Sequence, residues 1–303
     1  MSNFVKNPEV MTDPHETAMQ ARLLRRMTCH LGEGPIWTGT AWAFFDILNG
    51  DLHLLSPDGQ DLRTHNLGRF ASAAALTDGP ELLVATESDL TLIDPATGTQ
   101  TSLCPLEADN PVTRSNDGRA DRRGGFWIGT MGTSAEPEAG ALYRYVGGHL
   151  RCLRRGLTIP NAICFSPDGG TAYFADSHLG TVYRWRLDDE GWPLGAPEVF
   201  FRLPSSAGAP DGAVIDAEGA MWIALWGAGK VQRVLPTGTF DTAIEVAASQ
   251  PSCPAFGPDG ALLITTAREH LSPAELADDP LAGSVFVAQT PVPGIPEPTV
   301  RLP

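Results

Sequence analysis

Apolar positions along most of this chain fall in short runs broken by turn residues, without the i, i+3, i+4 stripe of an amphipathic helix. Around residue 211 the run Ala213-Val214-Ile215 meets a turn at Asp216-Ala217-Glu218-Gly219, then a second run, Ala220–Leu225, rich in aromatic and branched residues. The same strand-turn-strand pattern recurs as "EGPIWTGTAWAFFDI" from 33, "SAAALTDGPELLVATE" from 72 and "NDGRADRRGGFWIGTM" from 116. It returns as "NAICFSPDGGTAYFADS" from 161 and "CPAFGPDGALLITTAR" from 253. Between these units lie further strand-like stretches, such as "GALYRYVGG" (140–148), "GTVYRWRLDDEG" (180–191) and "GKVQRVLPTG" (229–238).

Six units spaced about 39 to 50 residues apart, each with about four short strands, predict an all-β chain folded as a six-bladed β-propeller of antiparallel blades. The propeller is expected over 21–303, behind an N-terminal extension at 1–20. The stretch "MQARLLRRMTC" (19–29) is expected to close the ring against the last blade, around 284–288 and 297–302, which removes exposed sheet edges. Trp37, Trp42, Trp127, Trp185, Trp222 and Trp226 read as core between tilted sheets. Asp176 reads as a blade-stabilising acceptor, and His178 as a solvated loop residue.

The first strand of each blade lines the central channel of a propeller, so the residue that opens it sits at one mouth. Glu33, a position near Ser72, Asn116, Asn161, Asp211 and a position near Ser252-Cys253 converge there. Pro-Asp-Gly occurs four times. At 57–59, 167–169 and 258–260 it falls where a hairpin turn is wanted; at 210–212 it falls at the mouth instead. Glu33, Asn161 and Asp211 offer hard oxygen donors and two negative charges, a set suited to a divalent cation.

The remaining chemistry narrows the reading. A net charge of −15 disfavours nucleic acid and anionic membrane surfaces as partners and says nothing against a neutral substrate. No apolar run is long enough for a membrane span, and the N-terminus lacks an apolar signal core. Cys29, Cys104, Cys152, Cys164 and Cys253 are scattered, without a Cys-x-x-Cys pair, which fits free thiols in a cytoplasmic protein. The histidines show no ligand spacing and none is expected at the mouth; no Gly-x-Ser-x-Gly elbow supports a serine hydrolase.

"LGEGPIW" (31–37), "RSNDGRAD" (114–121), "GFWIGTM" (125–131), "IPNAICFSPDG" (159–169), "PDGAVIDAEGAMWIALWG" (210–227) and "TTAREHLSPAELADDPLAGSVFV" (265–287) together resemble the regucalcin/gluconolactonase family, in particular its bacterial sugar-acid lactonases. The resemblance runs from about residue 25 to the C-terminus. It implies a six-bladed propeller with one divalent metal in the channel, held by Glu33, Asn161 and Asp211. Ca²⁺ is the first expectation from ligand type, with Zn²⁺, Mn²⁺, Mg²⁺ and Fe²⁺ as alternatives. It further implies that Arg114 binds substrate and that Asn116 contacts substrate or a metal-bound water; a ligating carboxylate keeps a second oxygen free, so Asp211 is the expected catalytic proton acceptor. Two departures stand out. The glutamate that some members carry after Gly-Thr-Met is absent here, where Gly132-Thr133-Ser134-Ala135 follows Met131, and the usual Pro-Asn-Gly is Pro160-Asn161-Ala162.

The implied activity is hydrolysis of sugar-acid lactones such as glucono-, xylono- or arabinonolactone, with a small-molecule sugar lactone as partner; protein partners stay unassigned. The cation would polarise the ring carbonyl and acidify a water. The alternatives are a non-catalytic Ca²⁺-binding propeller, and an ester or phosphotriester hydrolase on the same fold. Arg114 and Asn116 beside a three-ligand set favour the enzyme.

Overall fold

The inner strands of six sheets touch one another in cyclic order around a central channel. They are Gly32–Trp37, Ala71–Thr77, Thr113–Ala120, Pro160–Phe165, Ala209–Ile215 and Pro251–Phe256, belonging to blades 1 to 6. The computed structural model describes residues 19–303. Each blade is a meander of antiparallel strands running outward from the channel. The expected six-bladed propeller is therefore the architecture. Among the described residues the sole α-helix is a short one, Pro273–Asp278, with a Ser272/Glu275 capping box.

The ring closes with strands from both ends of the chain. Blade 6 takes three strands from the C-terminal part, and Arg22–Arg25 supplies its outer strand, antiparallel to Val285–Gln289. Met19–Gln20 runs parallel to the outer strand of blade 5. Of the extension expected at 1–20, residues 1–18 lie outside the described residues.

One expectation is corrected here. The segment 297–302 does not join the last blade. After Gln289 the chain crosses the end of the channel opposite the mouth: Ala217 N donates to Pro293 O at 2.9 Å, and Arg122 Nη1 to Pro296 O at 2.9 Å. Arg119 and Glu297 form an ion pair at 2.5 Å. Thr299–Val300 then pairs in parallel with the inner strand of blade 2, at Leu76–Thr77. The void left beneath this strap is about 20 Å³, room for about one water.

Between blades 3 and 4 the packing is partly aromatic: Trp127 meets Phe165 edge-on at 5.4 Å. A repeated device fixes the inner hairpins of blades 3 and 5. Asp121 Oδ1 accepts from the N–H groups of Arg123 and Gly125, and its Oδ2 accepts from Trp127 Nε1 and Arg144 Nε. Asp216 does the same with Glu218, Ala220, Trp222 and Arg233. One carboxylate thus satisfies turn amides, a core indole and a largely buried guanidinium at once. The three Pro-Asp-Gly triplets at 57–59, 167–169 and 258–260 do fall between paired strands, as expected.

Candidate active site

Every inner strand breaks register close to its mouth end: after Glu33, Ala71, Ser115, Asn161, Pro210 and Pro251. A β-bulge places two residues opposite one and re-aims the side chain it carries. Pro210-Asp211-Gly212 is such a bulge and not a turn. Asn116-Asp117-Gly118 likewise lies within a continuous strand. Gly34 and Ala162, each following a mouth residue, both take φ of +54°. Glycine adopts that conformation freely, whereas Ala162 holds it at a cost of about 1–2 kcal/mol.

These bulges bring Glu33, Arg114, Asn116, Asn161 and Asp211 to the wall of a single cavity of about 440 Å³ at the channel mouth. All five are buried, none more than 7% exposed. A directed chain of hydrogen bonds crosses three blades. Arg114 Nη1 donates to Asn116 Oδ1 at 2.9 Å, and Asn116 Nδ2 to Asn161 Oδ1 at 2.8 Å. Asn161 Nδ2 donates to Ser177 Oγ at 2.9 Å, and Ser177 Oγ to Pro210 O at 2.5 Å. The chain ends at the residue before Asp211.

The acids are crowded. Burial, then the charge of Asp117, pushes Glu33 up to about 8, against the Gly34 N–H and Arg114, which pull it down. Burial, then the charges of Glu33, Asp117 and Glu269, holds Asp211 well above the usual carboxylate range. Asp117, deeper in the channel, is raised to about 6 by burial; its Oδ2 accepts from Ile163 N at 2.7 Å, which braces the bulge behind Asn161. Burial lowers Arg114, opposed by Glu269, Glu33 and Asp211 in that order, and its Nε has no hydrogen-bond partner. Among the described residues no three His, Cys, Asp or Glu side chains cluster as a ready metal site. The Glu33–Asp211 pair needs the Asn161 amide as its third donor. Two buried carboxylates that raise each other, with an amide oxygen beside them, fit a divalent cation, because its charge would remove the repulsion that burial intensifies.

Sequence reasoning missed several lining residues. Ser177, next to the anticipated Asp176, holds Asn161 in place; Asp176 itself accepts from the N–H groups of Thr158, Ile159 and His178, as expected. Trp226 was expected in the core but is only half-buried and lines the cavity, since it ends its strand where inward alternation stops. Glu269 and His270 also line it, from the loop that follows the second strand of blade 6. A histidine therefore does stand at the mouth, contrary to expectation, although its side chain is 80% exposed. His178 is exposed on its loop.

A sequence profile described as the SMP-30/Gluconolactonase/LRE-like region matches residues 31–268. The chain is 38% identical over 286 residues to the L-arabinolactonase of Azospirillum brasilense, across 90% of this chain and 93% of that one. It is 35% identical over 278 residues to the 6-deoxy-6-sulfogluconolactonase of Pseudomonas putida, across 88% and 94%. A solved structure of the calcium-binding protein regucalcin from Agrobacterium tumefaciens superposes with a TM-score of 0.91 at 40% identity, across 94% of this chain and 98% of that one. With its fold and nearly its whole length matched, the chain belongs to the SMP-30/gluconolactonase/regucalcin family of sugar lactone lactonases.

Proposed function

We propose that this chain is a divalent-metal-dependent lactonase that opens sugar-acid lactones. The observation that carries the reading is the convergence of two buried carboxylates, Glu33 and Asp211, with the Asn161 amide on the cavity wall that Arg114 and Asn116 share. Glu33, Asn161 and Asp211 would hold the cation, which when bound supplies Lewis acidity toward the ester carbonyl. Asp211 takes the proton of the attacking water, because a ligating carboxylate retains a second oxygen as acceptor. Arg114, a planar fork of donors in a buried setting, binds substrate oxygens and orients the carbonyl. Met131, Ile159 and Trp226 give the ring an apolar wall and keep bulk water from the reacting bond. The relatives named above support the lactone class.

The test is acid release, followed with a pH indicator, over a panel of aldonolactones of five- and six-membered ring, before and after chelation and with Ca²⁺, Mn²⁺, Zn²⁺, Mg²⁺ or Fe²⁺ restored. Turnover lost on chelation and recovered with a divalent ion is expected. Full-rate opening by protein free of metal on elemental analysis removes the metal from the mechanism, and no turnover on any lactone removes the enzyme reading.

A further inference from the structure

Glu269 is a carboxylate on the cavity wall with no part in the donor set of Glu33, Asn161 and Asp211. Its backbone is pinned on both sides: its N–H donates to His30 O at 2.9 Å, and its carbonyl accepts from Gln250 Nε2 at 2.9 Å. The next residue, His270, turns the chain at φ +65°, and the capped helix Pro273–Asp278 follows at once. A fixed backbone holds the side chain toward the cavity, 21% exposed. His270 Nε2 lies 3.8 Å from its Oε1, too far for a hydrogen bond, so this ring leaves its oxygens free to accept. Glu269 and Arg114 line the same cavity and carry opposite charges.

We propose that Glu269 is a specificity-determining residue, whose carboxylate accepts hydrogen bonds from the hydroxyls of a neutral polyhydroxy lactone and repels lactones that carry an anionic substituent. The proposal rests on the lactonase reading. A divalent cation matches the charges of Glu33 and Asp211, and Arg114 matches Glu269. Those charges, Asp117 deeper in the channel apart, then cancel around a neutral substrate. A phosphate, sulfonate or carboxylate on the sugar finds no unmatched cation. It also cannot retreat from Glu269, because a cavity of about 440 Å³ is scarcely wider than the Debye length of about 8 Å at physiological salt. The site supplies this carboxylate from blade 6, while the segment after Met131, Gly132–Ala135, supplies none.

The experiment compares kcat/KM for glucono-1,5-lactone and its 6-phosphate in the full chain and in E269Q, with the most activating divalent ion present. Wild type is expected to favour the neutral lactone by about tenfold or more, and added salt to shrink that preference. E269Q is expected to raise KM for the neutral lactone with kcat within about threefold, and to lower the neutral-to-anionic ratio by about tenfold. Wild type that opens both lactones equally well overturns the proposal without any variant, as does a ratio unchanged in a folded E269Q of wild-type melting temperature. Wild type inactive on every lactone overturns the lactonase reading and Glu269 with it, whereas an active wild type with an unmoved ratio overturns Glu269 alone.

Discussion

Asn116 donates from Nδ2 to Oδ1 of Asn161 at 2.8 Å, across the seam between blades 3 and 4. The same Nδ2 also donates to Pro160 O at 3.1 Å, so one amide ties down both the Pro160 carbonyl and the Asn161 side chain. With Asn161 Nδ2 held by Ser177, the Asn161 amide is fixed in orientation, and its oxygen is the atom offered to the cavity. Partners that orient a ligating side chain set metal affinity as much as the ligand does.

Asn116→Ala is therefore expected to weaken divalent-ion binding by about 10- to 100-fold. Titration calorimetry on the full chain measures it directly. Unchanged affinity in the variant removes Asn116 from ligand support and leaves it, at most, a substrate contact.

Asp211→Asn retains an oxygen donor but is a poor proton acceptor. Turnover of the metal-loaded variant is expected to fall by about 10²- to 10⁴-fold, with a smaller change in KM. Wild-type turnover in a variant shown to hold its metal takes the proton-acceptor role away from Asp211.

Arg114→Lys keeps a charge but loses the planar guanidinium, whose Nη1 donates to both Ser115 O and Asn116 Oδ1 at 2.9 Å each, on a side chain that lines the cavity wall. KM for hydroxyl-rich lactones is expected to rise about tenfold, with a smaller rise for a simple lactone without hydroxyls. Equal losses on the two substrates reassign Arg114 to support of Asn116.

Asp121→Ala acts far from the cavity. It strands Arg144, whose side chain is 1% exposed, and frees the indole of Trp127 and two turn amides. Breaking a buried pair from one side costs about 3–5 kcal/mol, read as a lower denaturation midpoint. A loss under about 1 kcal/mol shows that water or a rearranged side chain satisfies Arg144.

The blades were legible because strand-turn-strand spacing repeats, and the mouth residues because Glu33, Asn161 and Asp211 open equivalent strands. The bulges were not, since Glu33-Gly34 and Pro210-Asp211-Gly212 carry the composition of turns, and only the partner strand reveals which geometry they take. Glu269 and His270 were hidden for a different reason. They come from an insertion between strands of blade 6, where the repeat is interrupted and no periodicity assigns a facing direction. The path of the C-terminus was misread because Thr299–Val300 makes a two-residue parallel pairing, too short to leave an alternation in the sequence.

That C-terminal strap turns the bore of the propeller into a blind well. Arg119 and Glu297 clasp its floor, and the last residues of the chain are stitched to the inner strand of blade 2 by Thr299–Val300 and to the first hairpin turn of blade 3 by Arg301 N on Gly124 O. Traffic through such a well is two-way along one route. On the lactonase reading, the opened sugar acid would have to withdraw past Trp226 and Glu269 before another lactone could descend, and a carboxylate formed beside Glu269 would be pushed toward the exit by like charge.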